Sequence, residues 1–213
     1  FRRENGLYGV PVVASGLENS PRPGAFYLLD WNAAMAMNAL YLSALSDILN
    51  DKEASFQFKR SYFSLKTRIN SLMWNADDGF YYDLDAEEKQ VKVKTIGGYW
   101  PLLAEIPNED RSERIIALLH DPEVFGTEHP FPTLAANEPN FDKKGGGFRG
   151  SVIPPFTYMV IKGLEKYNQY EFARDCAIRH LYFLLDSMYQ NGEQKPTVWE
   201  AYQPMNEGKA VWD

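Results

Sequence analysis

Cysteine and histidine are scarce in this chain: among 213 residues there are one cysteine and three histidines. A single thiol excludes an internal disulfide, and Cys176, set in "FARDCAIRHLYFLL", reads as a small buried apolar residue. His120, His129 and His180 have no metal-ligand spacing and no cysteine cluster beside them, so no zinc site is expected. Positive charge is short as well: 22 Lys and Arg stand against 29 Asp and Glu, a net charge of −7, and no basic run appears. Nucleic acids and anionic membranes require a basic face, so neither is an expected partner and neutral or small ligands are favoured. No stretch approaches the ~18 consecutive apolar residues of a membrane span. The opening "FRRENGLYGV" has no initiator methionine and no apolar signal core. It reads as an internal cut, which leaves the compartment open.

What the chain does hold is the material of a folded domain, 45% hydrophobic and 15% aromatic residues, enough for one large core. No fixed-period repeat and no linker divides it, so residues 1–213 read as a single domain. From Phe26 to Leu49 apolar residues recur at three- and four-residue spacing around small Ala positions, the pattern of a helix buried on most of its surface. Asn50 and Asp51 end it and cap a second helix, Lys52 to about Trp74, with Phe56, Phe63, Leu65, Ile69 and Leu72 inward. These two form an antiparallel hairpin. Tyr41, Phe63 and Tyr182 are read as core. The period then changes to alternation, with Phe80, Tyr82 and Leu84 on one run and Val91 and Val93 on the other, which predicts a small β-hairpin. Helical spacing returns in "YWPLLAEI", "NEDRSERIIALLHD", Pro154–Tyr167 and Gln169–Gln190, with a Gly/Pro-rich loop over Pro122–Gly150. The expectation is an all-α fold of about six helices, mostly arranged as consecutive hairpins, with the unusual polar and aromatic residues in the loops between them.

Two signals that look chemical have plainer readings. "GGGFRG" fits a dinucleotide-binding glycine pattern through Gly145, Gly147 and Gly150, but such a site needs a buried strand before it and a helix opening within it, and "NFDKK" supplies neither. "NADDGFYYD" resembles an acidic calcium loop, yet its glycine falls one position early and no glutamate stands where the bidentate ligand belongs. It reads as a turn into the hairpin.

The loops hold a set with a common chemistry: Glu18, Asn19 and Arg22 in "SGLENSPR", Asp30 and Trp31 at the start of the first helix, Tyr99 and Trp100, Phe148 and Arg149, and Trp199, Glu200 and Tyr202 in "TVWEAYQP". Aromatic faces pack on the apolar faces of a sugar ring, and Asp, Asn and Arg satisfy its hydroxyls. Hydrolysis of a glycoside needs two carboxyl groups, one protonated to serve the leaving oxygen and one ionised to activate water or attack the sugar. Glu18 and Glu200 supply such a pair, although composition alone also allows them to be surface acids.

These segments resemble glycoside hydrolase family 63, which includes bacterial mannosylglycerate hydrolases and the processing α-glucosidase of N-glycans, with family 37 trehalases as more distant relatives. "SGLENSPR" followed by "LLDWNAAM" is similar to the family's "SG-x-D-N/D-x-P-R … D-L-N/C". "LMWNADDGFYYDLD", "GGYWPLLAEI", "GGGFRGSVIPPFTYMVIKGLEKY" and "TVWEAYQPMNEG" follow in the family's order, so the resemblance covers nearly the whole chain. It implies a toroid of six helical hairpins, an (α/α)6 fold of which this chain holds half to two-thirds, truncated at both ends and carrying a small β-hairpin insertion. It implies an inverting α-glycosidase of glucosides or mannosides, with Glu18 as general acid and Glu200 as general base. Asn19, Arg22, Asp30, Trp31, Trp100, Phe148, Arg149, Trp199 and Tyr202 become sugar-contacting or orienting groups. No cofactor and no metal are implied. The remaining part of the toroid or a second copy is expected to cover the open side.

Three positions depart from the family pattern. Glu18 stands where Asp is usual, Ala14 replaces an acid before "SG", and "FRGS" replaces "WRGP" at Phe148–Ser151. The rival reading is therefore a non-catalytic carbohydrate-binding or scaffold protein on the same toroid. A third, a sugar epimerase on a related helical toroid, requires histidines at the cavity, and none of the three lies in a matched motif.

Overall fold

A computed structural model describes residues 5–12, 17, 20–189 and 197–205. Six α-helices are present among them. The first, α1 (Leu29–Ile48), turns small residues inward: Ala33, Ala36, Ala39, Ser43 and Ser46 are buried. Without bulky side chains the backbone of the next helix can approach closely, and Ser43 Oγ meets Ser55 Oγ at 3.2 Å. Asn50 takes the left-handed conformation at φ 58°, a conformation in which a short amide side chain is tolerated. Asp51 then caps α2 (Lys52–Arg68) by accepting the Ala54 N–H at 3.0 Å. So short a link leaves only an antiparallel hairpin, as the sequence predicts. A π turn, Ile69–Met73, extends α2 to one residue short of Trp74.

The β region differs from the single hairpin expected. Two separate two-stranded ladders form, β1 (Trp74–Asn75) with β2 (Phe80–Tyr81) and β3 (Asp83–Leu84) with β4 (Gln90–Val91). The alternation also fails, because Phe80, Tyr81, Tyr82, Asp83 and Leu84 are all buried. The segment before α1 lies across this run: Tyr27 bridges Leu84, and Phe26 N–H donates to the Leu84 carbonyl at 2.8 Å. With an element on each side there is no solvent face for polar residues to occupy.

A 3-10 turn (Ile96–Tyr99) leads into the four-residue α3 (Trp100–Leu103), shorter than "YWPLLAEI" suggests. Helix α4 (Glu109–His120) is capped by Asn108, which accepts from Arg111 N–H at 3.1 Å. Helices α5 (Pro154–Lys166) and α6 (Tyr170–Met188) form the second hairpin, reversed at Asn168, φ 59°. Packing runs in the order α2, α1, α3, α5, α6. The core beneath is aromatic, with Phe80, Tyr99 and Phe125 meeting at centroid distances of 5.1–6.0 Å. Cys176 is buried.

Several side chains expected in the core are exposed instead: Tyr41 at 47%, Phe63 at 60%, Tyr182 at 63% and Phe56 at 64%. Helical period identifies an apolar face, but it does not say that a neighbour is there to cover it. These residues lie on α1, α2 and α6, towards the ends of the packing row, where no described element covers them.

The aromatic core sets a test. A Cβ at Gly98 would enter the Phe80 ring, and that ring is 1% exposed and held between Tyr82, Tyr99 and Phe125. Gly98→Ala should therefore lower stability by about 1–3 kcal/mol or more. Asp51→Ala, which removes a cap on an exposed turn, should cost about 1 kcal/mol. Urea unfolding of the two variants beside the parent checks the order.

Candidate functional site

The residues singled out in the loops come from remote parts of the chain, and backbone pairing joins segments that flank several of them. Ile96 N–H donates to the Thr133 carbonyl at 3.0 Å, Thr133 N–H to Ser151 at 2.8 Å, and Val152 and Tyr202 exchange two bonds of 2.8 and 2.9 Å. Segments 94–97, 133–135, 150–152 and 202–204 thus lie side by side. At the near edge a Cβ on Gly97 would touch Asp30 Cβ and Leu17 Cδ1, each at 3.5 Å. Leu17, the neighbour of position 18, and Tyr202, two residues past Glu200, are therefore linked through one set of packed segments. Glu18 and Asn19 themselves lie outside the described residues.

At the Leu17 edge the organising group is Arg22, 3% exposed. Its Nε–H donates to Ser20 Oγ at 2.7 Å, its Nη1 to Asp83 Oδ2 at 2.8 Å and its Nη2 to the Leu17 carbonyl at 3.0 Å. Ser20 Oγ–H donates to the same Leu17 carbonyl at 2.7 Å. One guanidinium so holds the residues on both sides of positions 18 and 19. Asp83 has a second role: its Oδ1 accepts the Leu29 N–H at 2.6 Å, capping α1, which has no side-chain cap of its own. Asp30 Oδ2 stands 3.9 Å from Arg22 Nη1. Burial raises the Asp83 carboxyl above its ordinary range, the Arg22 guanidinium pulls it back, and the neighbouring Asp30 adds to the rise.

At the far edge, Tyr202 is fully buried and its hydroxyl accepts the Trp199 N–H at 2.8 Å. A turn results in which Trp199 is half-buried, Ala201 and Tyr202 are buried and Glu200 is exposed. The Tyr202 ring is closed off from solvent. Arg149, with 52% of its side chain exposed, lies 3.8 Å from Asp142. Asp142 shapes the glycine-rich turn by accepting N–H groups of Lys144 and Gly146. Phe148 packs half-buried on the core. Trp100 is half-buried against Phe156, centroids 5.4 Å apart, and Trp31 is 38% exposed at the first turn of α1.

Among the described residues no group of three His, Cys, Asp or Glu side chains is placed to hold a metal. A hollow of ≈ 490 Å³ between Met37, Tyr41, Leu103, Tyr158 and Tyr170 contains none of the predicted site residues. It is an open, mainly apolar depression between helices, and the charged side chains in its lining are engaged in ion pairs, Lys162 with Glu165 and Lys166 with Glu105. Asp83 escapes detection from the sequence, although it closes the quoted "DGFYYD". So do His129 and His180, which touch at 2.7 Å and whose separation in the chain gives no hint of it.

A family model, the mannosylglycerate hydrolase MGH1-like glycoside hydrolase domain, matches residues 1–210. The chain belongs to this glycoside hydrolase family. It is similar to an uncharacterised protein of Borreliella burgdorferi, 49% identical over 213 residues, covering the whole of this chain and 45% of the relative. It is 19% identical over 219 residues to the mannosyl-oligosaccharide glucosidase of Saccharomyces cerevisiae, covering 91% of this chain and 26% of that protein. In fold it is similar to the family 63 mannosylglycerate hydrolase of Thermus thermophilus, with TM-score 0.74 and 21% identity over 88% of this chain and 42% of that one. The likeness identifies the helical hairpins as part of the family's toroid. The chain spans less than half the length of these relatives.

The buried Arg22–Asp83 pair yields a prediction for this glycoside hydrolase domain. Removing one partner strands a charge in the interior, so Arg22→Met should cost about 3–5 kcal/mol. A carboxyl raised by folding contributes stability that is fully present below its unfolded-state value and is lost as pH rises through the folded one. Arg22→Met removes the group that opposes the rise. Its deficit should therefore grow as pH rises above the ordinary carboxylate range, and adding Asp83→Asn should recover part of it. Urea midpoints over that rise in pH measure both effects.

Proposed function

We propose that this domain carries the acid–base pair of an inverting glycoside hydrolase acting on an α-linked glucoside or mannoside. Glu200 takes a proton from water as that water attacks the anomeric carbon, and Glu18 gives its proton to the leaving oxygen as the glycosidic bond breaks. The observation that carries the reading is the Glu200 turn. An exposed carboxylate sits between a half-buried Trp199 and a buried Ala201, on a backbone fixed by Tyr202, in a chain of established glycosidase family. A general base needs that combination, open to water but fixed in position.

In this reading Arg22 and Asp30 orient the Glu18 side, and Tyr202 orients the Glu200 side. Asn19, Trp31, Trp100, Phe148, Arg149 and Trp199 offer amide, ring and guanidinium contacts to the sugar. The domain extends over 1–213, and we take the uncovered edges of α1, α2 and α6 to be closed by the rest of a toroid or by a second copy. The 45% coverage of the Borreliella relative supports the first.

The non-catalytic reading rests on Glu18, one methylene longer than the family's Asp, where catalytic groups are held to about 0.5 Å. Turnover separates the two. In the full-length protein Glu200→Gln should abolish hydrolysis while leaving sugar affinity within a few-fold, since the amide keeps the shape and cannot take the proton. Glu18→Asp should preserve or raise the rate. NMR of the first-formed sugar should show an anomer opposite to that of the substrate. Retention of configuration, or full activity of Glu200→Gln, would remove the pair from the mechanism.

A further inference from the structure

His129 and His180 are 51 residues apart in the chain, yet Nε2 of the first and Nδ1 of the second lie 2.7 Å apart, with exposures of 0% and 7%. At that distance one ring donates and the other accepts, so the contact exists only while the pair carries at least one unprotonated nitrogen. Burial favours this state, lowering both imidazoles, His180 to about 4. Phe183, on the same helix as His180, lies flat on the His129 ring at 4.5 Å with 1° between planes. Helix α6 therefore grips His129 through two side chains.

His129 grips the 202–204 segment in turn. Its backbone N–H donates to the Pro204 carbonyl at 3.0 Å, and its ring meets that of Tyr202 edge-on at 5.7 Å. The Tyr202 hydroxyl accepts from Trp199 N–H, next to Glu200. A continuous path of contacts thus runs from α6 through His180, His129 and Tyr202 to the turn that presents Glu200. Neither histidine has a place in the acid–base chemistry proposed above.

We propose that His129 and His180 are a positioning pair that fixes the Trp199–Glu200 turn relative to α6 and so sets the placement of the general base. The proposal rests on the reading of Glu200 as that base. A misplacement of about 1 Å caused by a change remote from the chemistry can cost of the order of 100-fold in rate, so the effect belongs in kcat and not in KM.

The test uses full-length protein carrying His180→Ala or His180→Asn, the asparagine amide standing near the position of Nδ1. Amide hydrogen exchange is read at Trp199 and Tyr202, and turnover is read with nitrophenyl α-mannoside and α-glucoside. His180→Ala should speed exchange at both amides, leave the α1–α2 hairpin unchanged, and lower kcat by about 10–100-fold with KM within a few-fold. His180→Asn should restore most of both. Unchanged exchange at Trp199 and Tyr202 in His180→Ala would overturn the proposal, as would an Asn variant as defective as the Ala one. If Glu200→Gln remains active, it is the reading of Glu200 that fails, and whether or not the parent cleaves these probes the exchange data decide whether the pair anchors the turn.

Discussion

A guanidinium buried against a carboxylate is the constraint on which the candidate site depends. Arg22 joins the segment around Leu17 and Ser20 to Asp83 of the β region, and Asp83 joins both to the first N–H of α1. Three pieces of chain without a common secondary structure meet at one ion pair. Lysine could not replace this arginine, because a single ammonium cannot reach a hydroxyl, a carboxylate and a carbonyl in three fixed directions, as the planar fork does. Desolvation makes such a pair costly, and replacing it with apolar residues is often neutral or stabilising elsewhere. What the pair does here is positional, since it ties three segments of chain to one another.

The two edges of the surface are built on different principles. At the Leu17 edge side chains do the joining, through a buried charge and its acceptors. At the Glu200 edge the backbone does it, through the pairing of Val152 with Tyr202 and of His129 with Pro204. Glu200 itself lies before the paired residues, in the turn that the Tyr202 hydroxyl closes on Trp199 N–H, and it is exposed while Ala201 and Tyr202 on one side of it are buried. The buried carboxylate Asp83 and the exposed Glu200 thus have opposite roles written in their surroundings. Asp83 commits its acceptor oxygens to protein donors, whereas Glu200 presents its carboxylate to solvent.

Much of this is legible in the sequence where local rules govern. The helices α1, α2, α4, α5 and α6 follow from apolar period and from caps such as Asp51 and Asn108, and their ends fall within a few residues of expectation. Failures occur where a remote segment decides. Phe80–Leu84 loses its alternation because the chain around Tyr27 covers its other side. Tyr41, Phe63 and Tyr182 carry the period of core residues but stay 47–63% exposed, because no described element packs over them. Asp83 reads as part of a turn motif because nothing local shows that its partners are Arg22 and Leu29. The contact of His129 with His180 likewise joins a loop to a helix, and no spacing rule applies to such a pair.

The spacing of "WEAY" does have a physical reason that the sequence alone hides. Trp199 and Tyr202 are three apart, the separation at which the tyrosine hydroxyl closes the turn by accepting the Trp199 N–H at 2.8 Å. The hydroxyl reaches a backbone donor that the turn would otherwise leave to solvent, so the tyrosine satisfies its own polar tip while its ring stays buried. Phenylalanine in its place would keep the ring packing and lose the closure. The four residues then divide the work among them. Trp199 offers a half-buried ring and the donor N–H, Ala201 is small enough to be buried, Tyr202 locks the backbone to Val152, and Glu200 is left exposed. A carboxylate presented in this way keeps its hydration and its access to a ligand while its backbone stays fixed, and those are the two demands on a group that must activate water at a defined place.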